Sequence, residues 1–235
     1  MGQAGWDEIW KKKAGEITAD LSLEAILKVN GYDVKYAETG AETIRKYVRG
    51  LIKKLNLNRG GHLLEVGCGA GAIAMPMIDE GIRVTGIDRS AELIEIAVRA
   101  MPNGTFLVAS AADFDLPKKD FDAVLSQGVF QFFESQDYGI ESIRNMLAHA
   151  RPGRVVAVTD LLDEANRESL MKERVRLIGA KDFKERYVDL GLMHQFYDRA
   201  ALERGVKDHC SKVWFEDQFL ENATAGYKFN FFAIR

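Results

Sequence analysis

The stretch Leu63-Leu64-Glu65-Val66-Gly67-Cys68-Gly69-Ala70-Gly71 decides the reading of this chain. A short apolar run ends in three glycines at alternate positions, and helical spacing follows over about 71–80. Such glycines let a backbone turn sharply and come close to a ligand that a Cβ would hold away. At the carboxyl end of a first strand, the turn lies where open α/β sheets bind ligands. The helix behind it offers free N–H groups to an anionic portion of that ligand.

Strand patterns continue at 82–87, 105–109, 121–126 and 154–159, with helices expected at 90–100 and 138–150 between them. This alternation predicts an α/β fold, a doubly wound, mostly parallel sheet covered on both faces. Pro76 weakens the regularity of the helix at 71–80. Beyond residue 160 the spacing predicts a charged helix over 163–180, a mixed stretch over 181–197, and a short helix capped by Asp198. Two strand-like runs, 211–216 and 226–234, have no helix between them and should pair antiparallel. Upstream of 61 no strand pattern occurs. Ile44, Tyr47, Val48, Leu51, Ile52 and Leu55 form an amphipathic stripe, with Thr39 and Glu42 as its expected capping box. A shorter helix over 21–29 should end at Asn30-Gly31.

The chain has 235 residues, 32 Lys and Arg against 35 Asp and Glu, and a net charge of −3, which argues against a nucleic-acid binder. No apolar run approaches the ~18 residues of a membrane span. Two cysteines make neither a disulfide framework nor a zinc site, and a cytoplasmic location fits. A small-molecule partner is expected, with no metal; nothing bears on oligomeric state.

The glycine turn satisfies two codes. Gly67-Cys68-Gly69-Ala70-Gly71-Ala72 fits the G-x-G-x-x-A spacing of a dinucleotide site, and Glu65 to Gly71 also fits E-x-G-x-G-x-G. A nicotinamide dinucleotide gains nothing from a carboxylate at Glu65, whereas a ligand carrying an ammonium group does. That preference points to S-adenosylmethionine, and an NAD(P)-dependent oxidoreductase stays as the alternative.

The segment resembles motif I of the class I S-adenosylmethionine-dependent methyltransferases. Val84-Thr85-Gly86-Ile87-Asp88-Arg89-Ser90 resembles their second motif, in which the acid, here Asp88, takes both ribose hydroxyls. The run from Phe106 through Ser110-Ala111-Ala112-Asp113 is similar to the adenine-contacting segment. Ser110 stands where members often carry an acid, so either Asp113 is the substitute or a backbone contact suffices. Phe121-Asp122-Ala123-Val124-Leu125-Ser126-Gln127 resembles the strand-four motif, and Arg151-Pro152-Gly153 the turn into strand five. The resemblance implies a Rossmann-like seven-stranded sheet with an antiparallel C-terminal strand behind an N-terminal helical layer. It implies cofactor contacts at Glu65, Gly67, Cys68, Gly69, Gly71, Asp88, Arg89, Ala111, Ala112, Asp113, Ser126 and Gln127. Residues 1–60 are expected to be a helical lid or cap, 61–235 the cofactor-binding domain, and 163–197 a substrate-side insertion.

The acceptor is less legible. His194, Gln131 and Tyr197 are the candidates for catalytic contact, and Asp160 follows strand five on the same edge. Trp6, Trp10, Tyr32 and Tyr36 form either a lid or core packing. Ser126-Gln127-Gly128-Val129 replaces the Asn-Pro-Pro-Tyr type of motif used on adenine or glutamine amino groups. Neither cysteine has the Pro-Cys setting of cytosine methylation, and no trio of acids suggests a metal. What remains is metal-independent methylation of an O or N on a small metabolite, or a non-catalytic cofactor-binding module.

Overall fold

His62–Val66 (β1) buries four of its five side chains, Leu63, Leu64, Glu65 and Val66. A strand buried on both faces needs neighbours on both sides and cover above and below. The computed structural model describes residues 2–17, 19–33, 38–117 and 119–235, and supplies both. Among these residues β1 lies in a seven-stranded sheet with β2 (Arg83–Asp88), β3 (Thr105–Val108), β4 (Phe121–Gln127), β5 (Ala150–Leu162), β6 (Lys212–Asp217) and β7 (Lys228–Ile234). The strand order is β3-β2-β1-β4-β5-β7-β6. The first five strands pair in parallel, and β7 runs antiparallel to both β5 and β6. The strand order reverses between β1 and β4, the switch point at which open α/β sheets leave a crevice at their carboxyl ends.

Helices cover both faces. The chain runs through α1 (Gly2–Ala14), α2 (Leu23–Val29), α3 (Ala41–Lys54), α4 (Ala74–Asp79), α5 (Ala91–Ala100), α6 (Gln136–His149), α7 (Arg167–Ile178), α8 (Ala180–Phe183) and α9 (Arg199–Val206). Successive strand residues point to opposite faces. Leu63 accordingly joins the core under α2 to α5, whereas Leu64 and Val66 join the core under α6 and α9. No helix among the described residues is long and apolar enough to cross a membrane.

Several boundaries differ from expectation for local reasons. Gly40, not Thr39, is the N-cap of α3, and it makes no side-chain cap; starting at Ala41 brings Glu42 one position too early for a capping box. α4 starts only at Ala74, because Gly71 turns left-handed at φ +99°. Pro76 then sits in the helix's first turn, where its missing N–H breaks no helical bond. β5 is far longer than 154–159, extending to Leu162 across a register shift between Val158 and Leu161. The helix expected over 163–180 narrows to α7, which stops at Gly179 with φ +87°.

Candidate active site

The turn after β1 uses backbone angles that favour glycine, with φ +77° at Gly67 and +54° at Gly69. What excludes a larger residue there is the protein itself. A Cβ at Gly67 would fall 2.4 Å from a Val129 methyl, and one at Gly69 would fall 2.5 Å from the Asn30 amide nitrogen. The idea that these side-chain positions are kept clear for a ligand is corrected: neighbouring side chains fill them. Asn30, the C-cap of α2, clamps the turn. Its Oδ1 accepts from the Ala70 N–H at 3.0 Å, and its Nδ2 donates to the Cys68 carbonyl at 3.3 Å.

Asp88 ends β2 beside this turn and accepts from the Gly69 and Ser90 N–H groups, each at 2.9 Å. Burial raises its pKa above the ordinary carboxylate value, against the pull of those two donors. Arg89 reaches Asp7 of α1 at 2.8 Å, tying the N-terminal helix to the tip of β2. Glu65 is buried, and its Oε2 has no hydrogen-bond partner. Burial first, and the charge of Asp88 second, push its pKa well above the usual range. At the end of β4, Gln127 accepts the Tyr32 hydroxyl through Oε1, while its buried Nε2 has no partner.

Glu65, Gly67, Cys68, Gly69, Asp88, Arg89, Ala111 and Gln127 line one cavity of about 470 Å³. Trp6, Trp10 and Tyr32 from the N-terminal segment line it too; Tyr36 lies outside the described residues. The Cys68 thiol is buried with its pKa pushed up, so it stays protonated. Gln131 lines the cavity but spends its Nε2 on the Gly128 carbonyl at 3.1 Å.

Other expected residues do not line it. Gly71, Ala112, Asp113 and Ser126 are outside the lining, and Asp113 is exposed. Ser110 hydrogen-bonds the Tyr138 hydroxyl at 2.9 Å, and Tyr138 is the member of that pair that reaches the cavity. Tyr197 is a correction: it is fully buried in the core under α6 and donates to the Phe130 carbonyl at 2.8 Å. Its ring is packed against Gly139, so its hydroxyl is structural.

The cavity lining also holds Asp160 and His194, both singled out in the sequence, beside Lys228, Arg174 and Arg186, which sequence reasoning missed. Asp160 adopts φ +68°, rare for a residue with a Cβ, at the irregularity in β5. Its carboxylate takes the Lys228 ammonium at 2.9 Å through both oxygens and the Gln218 amide at 2.7 Å. Arg174 from α7 and Arg186 from the π-helical turn Lys184–Asp189 line the same cavity, with His194. His194 stacks on Trp6 at 5.0 Å and meets Phe132 edge-on at 5.4 Å; its Nδ1 has no hydrogen-bond partner. Burial, then the charges of Arg174, Lys228 and Arg186, drive its pKa well below normal, so the imidazole is neutral. Asp160 and Lys228 are 68 residues apart, and no spacing rule joins them.

Residues 63–153 match the family model for a methyltransferase domain. A malonyl-[acyl-carrier protein] O-methyltransferase from Enterobacter lignolyticus is 27% identical over 165 residues, covering 70% of this chain and 64% of that protein. A trans-aconitate 2-methyltransferase from Rhodopseudomonas palustris is 28% identical over 120 residues, 49% of this chain and 45% of that protein. The chain thus spans less than two thirds of either relative. The fold is shared with the magnesium protoporphyrin IX methyltransferase of Synechocystis, solved with bound S-adenosylhomocysteine. The TM-score is 0.60 at 16% identity, over 100% of this chain and 95% of that one. With its glycine turn and its strand order, the chain thus carries a match to a methyltransferase domain over residues 63–153.

Proposed function

We propose that this chain transfers the methyl group of S-adenosylmethionine to an oxygen or nitrogen of a small acceptor, without a metal. The observation that carries the reading is a pair of buried polar atoms without partners, Glu65 Oε2 and Gln127 Nε2, on residues lining one cavity. Orphaned buried polar groups are costly and rare, and a ligand with both an ammonium and a carboxylate satisfies an acid and an amide donor together. Asp88, with two acceptor oxygens at the strand tip, suits the ribose diol. A dinucleotide would leave Glu65 facing no cation, which disfavours the oxidoreductase alternative.

When bound, the sulfonium supplies an activated methyl group on a good leaving group. The chain's own task is then to align the acceptor and exclude water. Trp6, Trp10 and Phe132 supply an apolar wall for that purpose. His194 is neutral and buried, and in this reading its Nδ1 hydrogen-bonds the acceptor; with its depressed pKa it is a weak proton acceptor and serves orientation more than deprotonation. Gln131 holds the loop after β4 through its bond to Gly128. The O-methyltransferase named among the relatives favours oxygen as the accepting atom. In this reading α1, α2 and the 163–197 segment together form the cover over the acceptor.

The test is transfer from methyl-labelled S-adenosylmethionine into a small-molecule extract. Label should enter a product separable from the donor, and Asp88→Ala should suppress it. Label that stays on the donor in every extract, with the cofactor nevertheless bound, would leave a non-catalytic binding module instead.

A further inference from the structure

The cavity has an apolar wall. Trp6, Ile9, Trp10, Phe132, Leu190 and Leu192 line it together with the polar groups of the glycine turn. Set among those side chains is a buried polar atom without a hydrogen-bond partner, His194 Nδ1, on a ring that stacks on Trp6 and meets the Phe132 edge. Burial, then the charges of Arg174, Lys228 and Arg186, keep this imidazole neutral. Each of those cations is engaged within the fold, Lys228 by the Asp160 carboxylate. Compensated charges call for no anion, and their sign disfavours a cation beside them. A neutral imidazole nitrogen suits a hydroxyl, which can donate to it or accept from it.

A second observation concerns the outside of the same wall. Six large apolar side chains stand exposed among the described residues, and three of them, Val188, Leu190 and Met193, lie in one short segment. Leu190 is 62% exposed and also lines the cavity, so the exposed apolar surface runs into it. Met193 is 48% exposed and borders a smaller hollow that shares Trp6, Phe132, Phe133 and His194 with the cavity. Single exposed apolar residues need no explanation, but a group at the mouth of an apolar cavity marks a binding surface. Room inside is limited as well. Clefts that take one drug-sized ligand measure roughly 300 to 1,000 Å³, and this one measures about 470 Å³. With S-adenosylmethionine on the glycine turn, an extended second molecule must lie partly outside, over Leu190.

We propose that the methyl acceptor is an uncharged amphiphile. Its hydroxyl head is buried against His194 Nδ1 beside Trp6 and Phe132, and its apolar body leaves the cavity over Leu190 onto Val188 and Met193. Calling this molecule the acceptor rests on the methyltransferase reading; that an uncharged amphiphile binds here does not.

The test is calorimetric titration of the full chain, with and without S-adenosylhomocysteine, using para-propylphenol, para-heptylphenol and para-heptylbenzoate. The heptylphenol should saturate a single site and bind about tenfold or more tightly than the propylphenol, because its longer chain leaves water on the apolar rim. The benzoate should bind about tenfold or more weakly than the heptylphenol, since its charge is desolvated with no unpaired cation to meet it. Leu190→Asp, a change at an exposed position, should cut the chain-length ratio to about threefold or less and leave propylphenol affinity within about twofold. His194→Phe keeps a ring in the stack and should weaken both phenols alike, by about fivefold. No saturable binding of the heptylphenol, a chain-length ratio unaltered by Leu190→Asp, benzoate bound as tightly as the phenol, or phenol affinity unaltered by His194→Phe would overturn the inference. An intact chain-length ratio in a chain that does not bind S-adenosylhomocysteine would instead overturn the methyltransferase reading.

Discussion

Two sets of residues that line the cavity are built in different ways. The glycine-turn set comes from the tips of β1, β2 and β4, adjacent parallel strands whose register puts Glu65 beside Gly86 and Leu125. Its chemistry comes from short contiguous motifs. The other set is assembled from α1, the loop after β4, the irregularity in β5, α7, a π-helical turn and the first residue of β7. Its charged groups come together only through tertiary packing. A sheet edge thus presents a fixed set of groups, while the cover over it can change by varying loops that the sheet does not constrain.

The sharpest way to break this comparison is to damage the sheet edge alone. Gly67→Ala forces a Cβ into the left-handed region and against Val129, and should cost roughly 2–5 kcal/mol of stability. Thermal unfolding would read it, and a loss within about 0.5 kcal/mol of zero would mean that the turn is not the rigid element described.

Glu65→Gln separates holding a ligand from holding the fold. With its pKa raised in the folded chain, Glu65 favours folding below the unfolded carboxylate pKa, and that contribution is lost as pH rises through the folded value. The Gln variant of the empty protein should therefore be more stable than wild type at neutral pH. Its affinity for S-adenosylhomocysteine should fall by about tenfold, and the wild-type rise in affinity with pH should flatten. A variant less stable at neutral pH would show that Glu65 is ionised and compensated in the empty fold.

Away from the cavity, Tyr197→Phe should cost about 1 kcal/mol from the lost bond to the Phe130 carbonyl. Cofactor affinity and methyl transfer should be untouched at matched folded fractions. Transfer lowered well beyond the loss of folded protein would return Tyr197 to the acceptor site.

The contrast also explains what could be read in advance. Five parallel strands and the closing antiparallel pair follow from runs such as His62 to Val66, because strands buried on both faces read as short continuous apolar runs with turn residues at their ends. Glu65 and Asp88 were legible because fixed offsets from the glycines place them. Asp113 misled because alignment supplied a position but not a direction; its side chain is exposed, and Ser110 reaches toward the cavity through Tyr138. Tyr197 misled because a polar aromatic in an irregular stretch resembles a site residue equally well when its hydroxyl is satisfied inside a core. The clamp that Asn30 makes on the glycine turn and the Asp160–Lys228 pair carry no local signal, since the partners are distant in the chain. For Asp160 the telling feature, a left-handed backbone in mid-strand, exists only in three dimensions.

The central claim is that the acids at the tips of β1 and β2 hold S-adenosylmethionine. It is tested most directly by calorimetric titration of S-adenosylhomocysteine into the wild-type chain and into Asp88→Ala, with NADH as competitor. The account predicts one saturable site per chain, a loss of about tenfold to a hundredfold in the variant, and no displacement by NADH. Absence of binding, affinity undiminished by Asp88→Ala, or displacement by NADH would contradict it.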